Sequence, residues 1–204
     1  MVKVKQVIIA MNSMINYNFI ALDLEMNQPS GKIIEVGVAI GNVTDGILEM
    51  RNWYVNPHEP IGEYITQLTG IDDERISSAA VPVSQIAEEL SALITKHSCF
   101  VNPVQWGGGD TAILLKEFRL AEVPFPHFGR REIDVKTVCS YLAMVEGRKP
   151  SGGLKSYLGR HGLSFVGIPH RAGDDARNTL ELWFTLMRRQ RVLEESRAAM
   201  RTVK

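Results

Sequence analysis

The patterned part of the chain begins with an apolar run, Phe19-Ile20-Ala21-Leu22, that passes directly into Asp23-Leu24-Glu25. A short apolar run bounded by turn residues reads as a buried strand, here over residues 19–24. The turn NQPSG leads to a second strand over 32–40, and NVTDG to a third over 47–55. Three successive strands joined by short turns predict an antiparallel meander. The period then changes. Val83, Ile86, Ala87, Leu90, Leu93 and Ile94 recur at the spacing of an amphipathic helix. Residues 100–104 make a short strand-like run, and 110–120 a helix with Ile113, Leu114, Leu115 and Phe118 on its apolar side. A further short strand is expected at 131–134 and a helix at 137–145. SGGLKSYLGRHGL predicts a short helix closed by Gly162. Residues 176–191 predict a long helix that can continue toward the C-terminus. Strands first, then helix and strand in alternation, predict an α/β domain on a mixed sheet. Ligands of such sheets gather at the carboxyl ends of the strands, where Asp23 and Glu25 fall.

With 204 residues the chain can fill the core of one domain. We divide it into an N-terminal extension (1–16), the domain (17–191) and a basic helix end or tail (192–204). Lys and Arg number 23, as do Asp and Glu. The balance does not announce a nucleic-acid binder, and it does not exclude an acidic site flanked by basic residues. Cys99 and Cys139 have no C-x-x-C spacing, so neither a zinc site nor a disulfide framework is expected, and buried thiols suit a reducing cytoplasm. The N-terminus has no long apolar core of a leader, and no segment is apolar for long enough to span a membrane.

On an extended backbone Asp23 and Glu25 point to the same face. Two carboxylates that close repel, and one takes up a proton unless a counter-charge arrives. Hard divalent cations resolve that conflict and prefer oxygen ligands. Exposed strand-end charges are the bland alternative. Two further acids bear on the choice. Asp110 follows the triple glycine of QWGGGD and opens a helix, as a cap or as a ligand. The glycines lack the dinucleotide spacing but let backbone pass close to a ligand. In PHRAGDDARNT, His170 precedes Asp175 by five positions, with Ala172 and Gly173 between them. Asp175 begins the long helix and Asp174 can cap it. That places an imidazole on a loop beside an anchored acid, a division suited to a proton carrier next to a metal ligand.

LDLE, QWGGGD and HRAGDDARNT resemble, in order and spacing, the three motifs of the DEDD exonucleases. His170 in H-x-A-x-x-D is similar to the DEDDh (DnaQ-like) branch. YITQLTGIDDERI and GGLKSYLGRHGL are similar to family segments as well, and the resemblance runs from about residue 18 to 189. The first motif is close to that of oligoribonuclease, and the Trp-Gly before Asp110 to the Eri-1-like ribonucleases. The resemblance implies a ribonuclease H-like mixed five-stranded sheet flanked by helices. It implies 3′–5′ hydrolysis of single-stranded RNA or DNA to nucleoside 5′-monophosphates, RNA favoured slightly. It also implies two Mg²⁺ or Mn²⁺ ions about 3.5–4 Å apart, with Asp23, Glu25, Asp110 and Asp175 as their ligands. Asp23 bridges both, Asp110 acts on the second, and His170 takes the proton from the attacking water. Leu24, Met26 and Asn27 are expected near the terminal nucleotide, with a purely core role competing for Met26. Where relatives carry Thr-Gly after the first motif, this chain has Met26-Asn27. A homodimer is a further expectation carried by the family. A binding module on the same fold that does not cut is the alternative, and the complete acid set with His170 argues against it. The stretch from Arg188 to Lys204 carries six basic and two acidic residues, either a surface along nucleic acid or a solvated helix face.

Overall fold

The computed structural model describes residues 16–201, so all but one residue of the expected N-terminal extension lies outside it. Five strands form one sheet: β1 (Phe19–Met26), β2 (Ile33–Asn42), β3 (Gly46–Tyr54), β4 (Val104–Gln105) and β5 (Ile133–Asp134). Their order is β3-β2-β1-β4-β5. The first three pair antiparallel, as the meander predicts, and β4 and β5 join in parallel. Seven helices are described: α1 (Glu63–Thr69), α2 (Asp73–Ala79), α3 (Val83–His97), α4 (Asp110–Leu120), α5 (Val135–Val145), α6 (Leu154–Arg160) and α7 (Ala172–Arg201). This is the mixed five-stranded sheet flanked by helices that the resemblance implies.

Alternation along β1 separates the two layers. Ile20, Leu22 and Leu24 pack with α3 and α4 through Ile86, Leu90, Leu114 and Phe118. Phe19 and Ala21 pack on the other face with α5, α6 and α7 through Val135, Cys139, Leu158, Leu180 and Phe184. β2 is buried along its whole length. A third cluster, Ile34, Ile61, Ile65, Ile71 and Ile76, seats α1 and α2 against the sheet.

Several elements differ from the sequence reading. α1 and α2 were not predicted, because seven residues give too short a window for a helical period. The strand expected over 100–104 shrinks to β4, since Pro103 has no N–H to give to a ladder. The start of that run keeps single contacts, the Phe100 N–H donating to the Asn18 carbonyl and the Gly129 N–H to the Val101 carbonyl, each at 2.7 Å. α7 begins four residues earlier than expected, which draws Asp174 and Asp175 into its first turn. At its other end α7 runs on to Arg201, the helix end that the sequence left open beside a tail, with Arg191–Glu195 and Arg197–Glu194 pairs on its surface. Among the described residues no helix is long and apolar enough to cross a membrane.

Candidate active site

The side of β1 that carries Phe19 and Ala21 carries Asp23 and Glu25 next. Their cross-strand partners are Gly37 and Glu35, and the rows continue into β3 as Asn52 and Tyr54. Gly37 is the position that brings α7 in. A Cβ there would overlap the Gly173 nitrogen and the Ala172 carbonyl carbon. A Cβ on Gly173 would in turn overlap the Asn52 side chain. The first turn of α7 therefore lies directly on the sheet, beside Asp23. Asp175 stands in that turn.

His170 and Asp175 hold each other in place. The His170 N–H donates to Asp175 Oδ2 at 2.9 Å, and the Asp175 N–H donates to the Arg171 carbonyl at 2.9 Å. His170 has φ of 63°, a left-handed backbone uncommon outside glycine, and its side chain is exposed. Glu25, His170 and Asp175 each offer one ligand atom, and these atoms all lie within 4.8 Å of one another.

Asp110 arrives from the other layer as the first residue of α4. Gly107, Gly108 and Gly109 have φ of 97°, 73° and 105°, a left-handed path that side chains would resist. The wholly buried Gln105 accepts the Asp110 N–H at 3.0 Å and donates to Glu132 Oε2 at 2.9 Å and to the Thr111 hydroxyl. Glu132 accepts the Gly109 N–H at 3.2 Å, and Asp134 accepts the Gly107 N–H at 3.0 Å. So held, the Asp110 carboxylate stands near β1, where the backbone of Leu24 acts to lower its pKa. Gly109, not Asp110, occupies the cap position.

The four carboxyls share one electrostatic environment. Burial, then the charges of Asp110, Asp175, Glu25 and Glu35, push Asp23 well above the usual carboxylate range. Burial, then Asp175, Glu35 and Asp110, raise Glu25 to about 8, with Arg171 acting in the opposite direction. Burial raises Asp110 to about 7, Glu132 adding to it. Burial raises Asp175 to about 6, against the N–H and charge of His170. Acids crowded this way take up protons unless positive charge joins them, and that is the chemistry of a site for hard cations.

The expected base-contacting residues fare differently. Leu24 turns to the opposite face of β1 and is only 7% exposed, its side chain given to the core with α3 and α4. Met26 is half-buried against that same core. Asn27 is 2% exposed and spends its amide on the loop before α1: it donates to Glu59 Oε1 at 2.8 Å and the Pro60 carbonyl at 3.0 Å, and accepts the Gly62 N–H at 2.9 Å. In this structure the Leu24 side chain serves core packing and the Asn27 side chain supports the loop before α1. Three residues near the site escaped the sequence reading: Gln105, Glu132 and Glu35. The signal for Glu35 was an acid isolated inside the apolar IIEVGVAI.

Comparison with known proteins agrees with this geometry. A family model described as an exonuclease family, RNase_T, matches residues 20–183. The chain is 27% identical over 174 residues to the ERI1 exoribonuclease 2 of Xenopus laevis, covering 74% of this chain and 25% of that protein. It is 26% identical over 176 residues to the 3′-5′ exonuclease eri1 of Schizosaccharomyces pombe, covering 72% of this chain and 58% of that protein. It thus spans well under two thirds of the length of either curated relative. The nuclease domain of 3′hExo, a DEDDh family member solved bound to rAMP, superposes with a TM-score of 0.70 at 19% identity, over 85% of this chain and 92% of that one. With four acids and a histidine brought to one place on the ribonuclease H-like sheet, the chain belongs to the RNase_T exonuclease family, in its DEDDh branch.

Proposed function

We propose that this chain hydrolyses single-stranded nucleic acid from its 3′ end, RNA ahead of DNA, releasing nucleoside 5′-monophosphates with Mg²⁺ or Mn²⁺ as cofactor. The observation that carries the reading is the convergence of Asp23, Glu25, Asp110 and Asp175 from three separate elements beside one exposed imidazole. The names of the two curated relatives, an exoribonuclease and a 3′-5′ exonuclease, support the direction and the lean toward RNA. The rAMP bound to the 3′hExo nuclease domain supports it further.

The donor set fits hard divalent cations: four carboxylates, burial that makes each of them costly to ionise alone, and three ligand atoms already within 4.8 Å of one another. Asp23, Glu25, Asp110 and Asp175 would hold the ions. Bound there, they supply Lewis-acid stabilisation of the phosphoryl oxygens and make water a nucleophile at neutral pH. The chain's own residues do the rest. Asp175 anchors the His170 backbone, so the imidazole stands beside Glu25 and takes a proton from the attacking water at a ring nitrogen. Gln105 and Glu132 fix the turn that presents Asp110. The rigid β1 backbone sets the separation of Asp23 and Glu25.

The test uses 5′-labelled RNA and DNA oligonucleotides of one sequence with Mn²⁺ or Mg²⁺, and with EDTA. A ladder shortening from the 3′ end, abolished by EDTA and faster on RNA, is the expected result. Two polymers left intact with either ion would overturn the reading.

A further inference from the structure

Glu35 lies in β2 directly across from Glu25, on the same face, with no exposed surface. A bare carboxylate there would be a heavy burden, in a place already crowded with negative charge. Arg171 meets it with both ends of its guanidinium. Nε lies 3.2 Å from each Glu35 oxygen, and Nη2 donates to Oε1 at 2.7 Å. The Ala172 N–H adds a third donor at 2.9 Å. The guanidinium also lies over the Tyr54 ring, 5.6 Å from its centroid, and donates to the Tyr54 hydroxyl. Tyr54 continues the Glu25–Glu35 row into β3.

A buried ion pair is weak support for stability, since apolar residues of the same volume often serve as well or better. What the pair supplies is direction. A fork meeting two carboxylate oxygens fixes the plane and position of Arg171, and Arg171 is the residue between His170 and α7. The imidazole itself is exposed. Its backbone is held on one side by Asp175 and, one residue on, by this clamp.

We propose that Glu35 and Arg171 are positioning residues: by pinning the start of α7 to β2, they set where the His170 imidazole stands relative to Glu25 and Asp175. The catalytic consequence rests on the exonuclease reading above; the placement of His170 does not. A positioning loss of about 1 Å can lower turnover by on the order of a hundredfold without loss of binding.

The experiment compares Arg171→Lys, which keeps the charge and loses the fork, and Glu35→Gln with the parent chain. Three readouts are taken: kcat and KM on labelled RNA with Mn²⁺, Mn²⁺ affinity by calorimetry without nucleic acid, and the ring signals of ¹⁵N-histidine in NMR spectra without added metal. We expect kcat to fall roughly 10–100-fold with KM and Mn²⁺ affinity within about threefold of the parent. The His170 signals shift while those of His58, His97, His127 and His161 stay. Unmoved His170 signals in a folded Arg171→Lys protein overturn the proposal, whatever the rate. A fall in Mn²⁺ affinity that accounts for the whole loss of kcat also overturns it, because the pair would then act through charge. Should both variants unfold, Tyr54→Phe keeps the ring, removes only the hydroxyl, and is judged by the same His170 signals. If the parent cuts neither polymer, the exonuclease reading fails while the NMR comparison still decides the placement.

Discussion

Replacing Glu25 by glutamine should stabilise the protein when divalent cations are removed, although it takes away one of the proposed metal ligands. Burial, followed by the charges of Asp175, Glu35 and Asp110, raises the Glu25 carboxyl from 4.5 to about 8. An acid with a raised value binds more protons folded than unfolded, so stability is full below its ordinary value and falls as pH climbs toward 8. Between 4.5 and pH 7, at about 1.36 kcal/mol per pH unit, the penalty reaches roughly 3 kcal/mol. Partial contact with solvent reduces it to about 2 kcal/mol. For a chain of this size each kcal/mol moves the melting temperature by about 2–4 °C, which gives a difference of roughly 4–8 °C. The assay is thermal unfolding in EDTA at pH 4.5 and pH 7.5. The parent should melt lower at pH 7.5, and Glu25→Gln should exceed it there by about that margin. The two should converge near pH 4.5. Adding Mn²⁺ should reverse the order, because a ligand at 100 times its Kd contributes about 2.7 kcal/mol to the protein that binds it. A glutamine variant that melts at or below the parent at pH 7.5 in EDTA would refute the electrostatic account of the cluster.

The remaining predictions concern placement. Gly37→Ala should drive the first turn of α7 off the sheet, because the clash is with backbone that cannot swing aside. Turnover should fall by about a hundredfold, with a loss of about 1–3 kcal/mol in a denaturant melt. Asn27→Ala removes three hydrogen bonds at a buried position and should cost about 2–4 kcal/mol in the same melt. Its KM for RNA should stay within about twofold of the parent, since the side chain serves the loop. His170→Ala should bind Mn²⁺ as the parent does by calorimetry and lose about 10²–10⁴-fold in kcat; full turnover would end its assignment as the base.

The five residues of the proposed site were legible as candidates because their spacing follows simple rules. Alternation put Asp23 and Glu25 on one face, and the H-x-A-x-x-D pattern tied His170 to the helix start. What holds those residues was not legible, since it depends on contacts between distant segments. Glu35 reaches Arg171 across 136 positions of sequence, so no local window contains the pair. Gln105 is part of an apolar-looking VQW; its bond to the Asp110 N–H spans only five positions, but its bond to Glu132 forms where β4 and β5 lie side by side. The partners of Asn27 were hidden for the same reason, since folding brings residues 59–62 to its amide. The triple glycine could be read as permissive, but that all three residues turn left-handed is a property of the closed loop.

These contacts share a plan that explains why charge can sit at the end of a core strand. Along one side of β1 and β2 the paired positions run Phe19–Gly41, Ala21–Ala39, Asp23–Gly37 and Glu25–Glu35. The small residues let α7 approach closely, and the acids begin where the backbone of that helix begins. Asp23 thus meets the first turn of α7, and the charge of Glu35 is met by the residue preceding it. The same close approach that fills the core delivers Asp175 and His170 to Glu25. Moving the helix start would therefore disturb packing and chemistry together, whereas neutralising a single carboxylate would leave the packing intact. The separation of those two effects distinguishes the scaffold variant Gly37→Ala from the carboxylate variant Glu25→Gln in the same thermal melt.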